Sequence, residues 1–242
     1  MDAYKKSRVK SIICWVIAFA LAIFYLVVSF LPFIFMVLNS FKEKFEMLTV
    51  GVFELPQSLN FANYQEVLTG GFGKYFMNSV IVLAISLILL LFIASCASYP
   101  LARFQFKLAN PIYAGIVACM SIPVHITLIP VFKMSQATGL YDSIWALIGP
   151  YVAFAVPISV FILTSFMKEI PREIEESAEI DGCGKIKMFF SMILPLSKPG
   201  LATLAIYNGV NMWNEFSFAY TLTQSSETVS YTHLTLPTIL RV

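Results

Sequence analysis

Residues 81–92 read IVLAISLILLLF, a stretch without a charged side chain, and they decide the fold class. They lie inside a longer apolar run from Tyr75 to Ala102, which exceeds the roughly 20 residues that a helix needs to cross a bilayer. A helix satisfies all of its own backbone groups in lipid, whereas a membrane β-barrel shows alternating and less hydrophobic segments. The stretch therefore predicts a transmembrane helix.

The composition of the whole chain agrees with this prediction. Of its 242 residues 58% are hydrophobic and 12% are charged. A soluble domain has about 25% charged residues, so much of this surface must face something other than water, and the lipid bilayer is the expected partner. The formal net charge is only +2, which does not favour nucleic acid as a partner.

Four stretches are long and apolar enough to be spans and a fifth is long enough but polar, so the sequence predicts an all-α integral membrane protein, a polytopic helical bundle with five spans. The first follows a basic start but has no charge from Ser11 to Ser40, too long for the roughly 7–15-residue core of a signal peptide. We interpret it as an uncleaved anchor. The predicted spans are Ile12–Leu38, Tyr75–Ala102, Pro111–Phe132, Ser143–Met167 and Leu201–Thr223.

Basic residues predict the orientation. Cytoplasmic loops of membrane proteins carry an excess of Lys and Arg. With the N-terminus in the cytoplasm, eleven basic residues fall inside and four, namely Lys42, Lys44, Lys74 and Lys133, fall outside. We therefore expect a multi-pass protein of the bacterial cytoplasmic (inner) membrane with a cytoplasmic N-terminus.

The loop between spans four and five is the most informative polar stretch. Pro171 suits the first turn of a helix, and the glutamates that follow favour its positive end. Ile170, Ile174, Ala178 and Ile180 give this helix a modest apolar face. The pair Asp181-Gly182 indicates a turn, and a second amphipathic segment follows, with Ile186, Phe189, Phe190 and Ile193. The pattern predicts a helix–turn–helix on the cytoplasmic face; a solvated connection is the alternative.

A spaced motif in this loop is similar to the EAA loop of ABC-importer permeases. Glu176-Ser177-Ala178 is followed by three residues, Gly182, nine residues and then Met192-Ile193-Leu194-Pro195. Ser177 and Met192 depart from the alanine and isoleucine of the family pattern, and both keep the side-chain size roughly constant. The motif covers about twenty residues of the loop in which the family carries it.

The resemblance extends over roughly residues 10–225 to the carbohydrate-importer branch and its maltose-type second permease subunit. It implies a heterodimeric pore with a second permease subunit, two ATP-binding subunits and an extracytoplasmic solute-binding protein. The matching segments are Asn39-Ser40-Phe41, Asn63-Tyr64, Asn78-Ser79, Ile122-Pro123 with Ile129-Pro130, Ile170-Pro171-Arg172-Glu173 and Trp213-Asn214-Glu215-Phe216.

The resemblance also implies which loop residues couple to the ATPase. They are Glu176, Ser177, Ala178, Asp181 and Gly182. Glu176 could supply an ion pair to a basic residue of the ATPase, or it could be a solvated charge near a helix N-terminus. We expect Gly182 to be required because a side chain there would obstruct the turn.

The fifth predicted span carries an unusual number of polar residues. Asn208, Asn211 and Glu215 have the spacing of one helix face, and Asn214 lies between them. Polar groups at membrane depth are costly unless they face a bundle interior or water. These four residues are predicted either to line a substrate path or to bond between helices, and both interpretations stay open.

The sequence predicts no catalytic residue, no metal ligand and no cofactor of its own. His125 is a single histidine in span three, interpreted as packed or pore-lining, and the four cysteines show no metal spacing. The segment 182–185 lacks the opening glycine and the final Ser or Thr of a phosphate loop. ATP hydrolysis is therefore expected in a partner. A secondary transporter or channel working without ATP is the alternative function, and a membrane enzyme is a third.

The C-terminal end departs from the six-span pattern of the family. After Thr223 no stretch is long enough for a sixth helix. We expect residues 1–228 to be a permease domain truncated before span six and residues 229–242 to be a non-native tail.

Overall fold

Helices form all the regular secondary structure in the described part of the chain, so the predicted all-α class is confirmed. The computed structural model describes residues 2–43, 46–49, 51 and 53–225. The chain forms two units, with the boundary between Phe72 and Gly73. The predicted tail, residues 229–242, lies outside the described residues.

The first unit is a long helix followed by a short folded segment. Helix α1 (Asp2–Ser40) contains the whole of the first predicted span, and from Lys10 to Ser40 it is long and apolar enough to cross a membrane. Two short helices follow, α2 (Glu46–Thr49) and α3 (Ala62–Thr69).

The end of α1 is capped by side chains from α3. The Asn63 Nδ2 group donates to the carbonyl oxygens of Ser40 and Lys42, at 3.0 and 2.9 Å. The hydroxyls of Ser40 and Tyr64 are 2.7 Å apart, and the Phe41 ring lies against Tyr64 with centroids 5.3 Å apart. The last carbonyls of a helix have no partner within the helix. The segments Asn39-Ser40-Phe41 and Asn63-Tyr64 therefore meet to form one cap.

The second unit contains the remaining predicted spans. Helices α4 and α7 are each one continuous helix that is long and apolar enough to cross a membrane, as predicted for the second and fourth apolar runs. In the described residues the helices in chain order are α4 (Phe72–Arg103), α5 (Ala109–Ala118), α6 (Leu128–Ala137), α7 (Trp145–Glu169), α8 (Arg172–Ile180), α9 (Lys185–Met188), α10 (Leu194–Leu196), α11 (Lys198–Trp213) and α12 (Ser217–Leu222).

The third predicted span is not one straight helix. Helices α5 and α6, each extended by a 3₁₀ turn, are bent by 89° at the break between Ser121 and Val124. Ile122 is extended, with ψ 115°, and Pro123 follows it. A residue before proline is disfavoured in the helical region, so Pro123 explains the break. His125 lies in the 3₁₀ turn after the break and is exposed.

Helix α7 lies at the centre of the second unit. It packs against α5, α11 and α12. Its buried side chains Val160, Leu163 and Met167 share a core with Ala94 of α4 and Leu204 of α11. Side chains from the loop after α7 enter this core as well, namely Ala178, Met188, Phe189 and Ile193.

The last predicted span is also broken. Helix α11 ends at Trp213, and α12 begins at Ser217. The segment 185–196 and α11 form a pair bent by 69°. Three helices of the described chain are therefore long and apolar enough to cross a membrane, or up to five if each bent pair is one span.

The end of α12 is held by Asp142, in the connection between α6 and α7. Asp142 has a left-handed backbone, with φ 58°. Its Oδ1 accepts from the backbone amides of Gln224 and Ser225 at 2.8 and 2.9 Å, and its own amide donates to the Leu222 carbonyl at 2.9 Å. Asp142 thus holds the last described residues against the start of α7.

Candidate functional site

The candidate site is the connecting loop, residues 170–196, which joins α7 to α11. Its first helix, α8, begins at Arg172, so Pro171 is the residue before the helix and not the first-turn residue that the sequence predicts. Ile170 is extended, with ψ 128°, because a residue before proline avoids the helical region. Pro171 is extended as well, with ψ 137°. Glu173 and Glu175 lie in the first turn of α8, where the helix dipole favours negative charge.

Helix α8 ends in a Schellman turn. Gly182 has φ 75°, its amide donates to the Glu179 carbonyl at 3.0 Å, and the Cys183 amide donates to the Ala178 carbonyl at 2.9 Å. These are the two bonds of that motif. A Cβ on Gly182 would meet no atom within 4 Å. The prediction that a side chain at Gly182 would obstruct the turn is therefore wrong. Glycine is favoured at this position because the backbone is left-handed, a conformation that other residues rarely adopt.

The second arm of the connecting loop is less regular than a single helix. Gly184 is extended, with φ −68° and ψ 155°, and precedes α9. A π-helical turn, Phe189–Ile193, then leads into α10. Phe189 and Ile193 are buried as the predicted amphipathic face requires.

The two arms expose apolar side chains beside the turn. Ile180 is 87% exposed and Ile186 is 77% exposed. Phe190, which was also assigned to an apolar face, is 52% exposed. The predicted apolar faces are therefore only partly buried within this chain. Ala178 alone on α8 is buried, and it packs into the core of the second unit.

The buried side of the connecting loop is fixed to the end of α4. The Arg103 Nε atom lies 2.7 Å from Oε1 of Glu175, and the Arg103 Nη2 group donates to the Ile170 carbonyl at 2.7 Å. The Tyr99 hydroxyl donates to the Lys185 carbonyl at 3.3 Å. Arg103 is one of the eleven basic residues whose count predicts the orientation, and its position in the sequence predicts no other role. No sequence spacing relates α4 to this loop, so these contacts had no signal in the sequence.

The structure places the predicted coupling residues on two sides of α8. Glu176, Ser177, Asp181 and Gly182 are exposed, whereas Ala178 is buried. The Ser177 hydroxyl donates to the Glu173 carbonyl at 2.6 Å. The connecting loop thus exposes acidic and apolar side chains on one side, while its other side is fixed by the buried Ala178 and by the contacts with α4. This is the arrangement expected of a rigid docking surface. We call the exposed side the exposed edge.

The polar residues of the fifth predicted span differ in their exposure and partners. Asn208 is buried, and its Nδ2 group donates to the Ser159 hydroxyl at 3.1 Å and to the Leu204 carbonyl at 3.0 Å. Asn211 and Asn214 are exposed, and their amides donate to the carbonyls four residues earlier, each at 2.8 Å. Asn208 therefore makes the helix–helix bond that the sequence analysis left open.

Glu215 lies beyond the end of α11, so the prediction that it shares a helix face with Asn208 and Asn211 is wrong. Its Oε2 accepts from the Tyr151 hydroxyl at 3.1 Å, and its carboxylate accepts from the backbone amides of Phe218 and Ala219 at 2.9 and 3.3 Å. Glu215 caps α12 and joins it to α7. Within the described ranges no three His, Cys, Asp or Glu side chains come together as a metal site.

Comparison with families of known proteins gives a match over most of the chain. The model of the family described as "Binding-protein-dependent transport system inner membrane component" matches residues 91–239. The chain is 48% identical over 194 residues to a putative ABC transporter permease protein of Caldicellulosiruptor sp., covering 80% of this chain and 70% of that one.

Two further relatives have cargo in their names. The chain is 39% identical over 201 residues to the diacetylchitobiose uptake system permease protein of Streptomyces coelicolor, covering 83% of this chain and 66% of that one. It is 32% identical over 205 residues to the melibiose/raffinose/stachyose import permease protein of Bacillus subtilis, covering 84% and 74%.

A solved structure has the same fold. It belongs to a bacterial ABC transporter involved in the import of the acidic polysaccharide alginate. The TM-score is 0.84 at 20% sequence identity, and the match covers 95% of this chain and 81% of that one. The arrangement of helices described above is therefore an importer-permease fold.

Proposed function

The chain belongs to the family of binding-protein-dependent transport system inner membrane components, and on that basis we propose that it forms half of the translocation pore of an ATP-driven importer for sugars or oligosaccharides. As a member of this family it is a multi-pass inner-membrane permease and not an enzyme, because ATP is hydrolysed by a separate subunit. The complete complex in this proposal adds a second permease subunit, two ATP-binding subunits and an extracytoplasmic solute-binding protein.

The names of the relatives support a carbohydrate cargo. The named substrates of three relatives are diacetylchitobiose, the melibiose/raffinose/stachyose group and arabinooligosaccharides. All are short chains of sugars, rich in hydroxyl groups that pair with amide and carboxylate side chains. Of the predicted path residues, Asn211 on α11 and Asn214 directly after its end are exposed and are our candidates for contact with such a cargo.

The single observation that carries the coupling proposal is the construction of the connecting loop. Its exposed edge contains Glu176, Ser177, Asp181 and Gly182, and its other side is buried or bonded to α4. We assign this edge to the contact with the ATP-binding subunit, on the cytoplasmic side that the basic residues predict. Ala178, the remaining predicted coupling residue, is buried and packs into the core behind this edge.

The experiment is ATP-dependent uptake by the assembled complex in proteoliposomes. Glu176→Lys should lower uptake of a labelled oligosaccharide by about 10-fold, equivalent to about 1.4 kcal/mol of lost binding to the ATPase. Glu66→Lys is the matched control, because Glu66 is an exposed glutamate of α3 outside the connecting loop. The ATPase should also bind the Glu176→Lys complex more weakly than the Glu66→Lys complex.

Two results would contradict the proposal. One is uptake by the unsubstituted complex without a nucleotide, which would favour a secondary transporter or channel. The other is full ATPase binding and full uptake with Glu176→Lys, which would place the coupling contact elsewhere.

A further inference from the structure

Three contacts join the connecting loop to a helix that is distant from it in sequence. Arg103 at the end of α4 reaches Ile170 and Glu175, which lie 67 and 72 residues later (170 − 103 and 175 − 103). Tyr99, one turn earlier on α4, reaches the Lys185 carbonyl. The chain enters this loop from α7 and leaves it into α11, so α4 has no covalent link to the loop at either end.

The Arg103–Glu175 pair differs from an ordinary surface ion pair. Its two side chains are 2% and 12% exposed. A buried charge without its partner is strongly unfavourable, so removing either member has a larger effect than losing a surface pair. The other ion pair of the connecting loop, between Lys185 and Glu179, has side chains that are 52% and 48% exposed. Exposed pairs of this kind contribute little.

The three contacts hold three different parts of the connecting loop. Ile170 is its entry, Glu175 lies in α8, and Lys185 begins the second arm. The Tyr99 ring also lies against Phe189 of the π-helical turn, with centroids 5.0 Å apart. The connecting loop is thus held to α4 at its entry and on both of its arms.

We propose that Arg103 and Tyr99 are positioning residues that make the connecting loop and α4 move as one body, so that a displacement of the loop by the ATP-binding subunit reaches α4 as well as α7 and α11. This inference rests on the proposed function and deepens it. A rigid element that passes a displacement between two sites must be held in one arrangement within each state. Without these contacts the loop could tilt on its own and leave α4 behind.

The test is the ratio of sugar molecules transported to ATP molecules hydrolysed, measured in the same proteoliposomes. Arg103→Lys keeps the charge but loses the two-direction reach of the guanidinium, and we expect the ratio to fall about 3-fold. Arg103→Met removes the charge as well and should lower the ratio of transported sugar to hydrolysed ATP about 10-fold. The ATPase rate per assembled complex should fall less than uptake, because the exposed edge of the loop is untouched.

Two variants separate positioning from simple misfolding. Tyr99→Phe removes one hydroxyl, leaves the ring contact with Phe189 in place, and should lower the ratio about 2-fold. Exchange of the pair, Arg103→Glu with Glu175→Arg, should recover part of the ratio lost in Arg103→Glu alone. Glu66→Gln is the control, because Glu66 is an exposed glutamate of α3 outside the connecting loop, and its ratio should equal that of the unsubstituted complex.

Hydrogen exchange gives a second readout that does not depend on transport. Amides of residues 170–188 should exchange faster in Arg103→Lys and Tyr99→Phe than in Glu66→Gln. An unchanged ratio in assembled Arg103→Lys and Tyr99→Phe complexes overturns the inference while leaving the proposed function intact. Absence of ATP-driven uptake by the unsubstituted complex overturns the proposed function, and this inference with it.

Discussion

The connecting loop and the segment formed by α11 and α12 both carry polar residues within an otherwise apolar unit. The hydrogen bonds that hold them differ in how far apart the bonded residues are in the sequence. The Schellman turn of the loop is made by bonds between residues at most five positions apart, such as Cys183 to Ala178. The other segment is held by distant partners: Asn208 bonds to Ser159, 49 residues away, and Glu215 to Tyr151, 64 residues away. The turn of the connecting loop is therefore held by backbone hydrogen bonds between nearby residues, whereas the α11–α12 segment also depends on side chains of α7.

The largest effect should come from breaking the distant contacts at Glu215. Glu215→Leu leaves the Tyr151 hydroxyl and the Phe218 amide without an acceptor, which should lower the free energy of unfolding by about 3 kcal/mol. Unfolding in mixed micelles measures this loss. Glu215→Gln keeps one carbonyl acceptor of the same size and should lose about half as much. Equal stability of Glu215→Leu and the unsubstituted chain would show that α12 does not depend on this cap.

A smaller effect is expected from breaking the local turn. Gly182→Val forces a β-branched residue into φ 75°, which should cost about 1–2 kcal/mol. Gly184→Ala is the matched control, because Gly184 has φ −68° and an added Cβ would meet no atom within 4 Å. Gly182→Asn should be tolerated better than Gly182→Val, since asparagine enters the left-handed region more easily. The same unfolding measurement ranks the three variants, and Gly184→Ala as harmful as Gly182→Val would contradict the assignment.

The smallest effect should come from the helix–helix bond of Asn208. Asn208→Ala removes its donation to Ser159 between α11 and α7, and the average value for such bonds in membranes is about 0.6 kcal/mol. Combining it with Ser159→Ala in a double-mutant cycle isolates the bond from other losses. Asn211→Ala, at an exposed position of the same helix, should leave stability unchanged. A coupling energy of zero between Asn208 and Ser159 would show that packing alone joins these helices.

The parts of the fold that local signals determine could be predicted from the sequence. The charge-free runs predicted α1, α4 and α7, because length and apolar composition are sufficient to predict one continuous span. Pro171, the glutamates of α8 and Asp181-Gly182 placed the helix–turn–helix, because caps and turns depend on residues close in sequence. The same locality explains why the Schellman turn agreed with prediction in position.

The parts that depend on distant partners could not be predicted. Arg103 contacts Glu175 because two helix ends meet in space, and no periodicity encodes that meeting. Glu215 was assigned to a helix face by its spacing, but its bonds to α7 and α12 place it after the helix end. The 89° bend at Pro123 had a local signal in the proline, yet the apolar run around it favoured a continuous span.

The cap on α1 has a consequence for how deeply that helix can sit in the bilayer. From Lys10 to Ser40 the helix has 31 residues, about 46 Å at 1.5 Å per residue, against a hydrocarbon thickness of about 30 Å. Asn63 and Tyr64 attach a folded polar knob to one end, which resists being drawn into hydrocarbon. The surplus of about 16 Å must then be absorbed by tilt or at the basic end, as hydrophobic mismatch requires. We therefore expect the contacts of Asn63 and Tyr64 with Ser40 to limit how far this end of α1 can enter the bilayer.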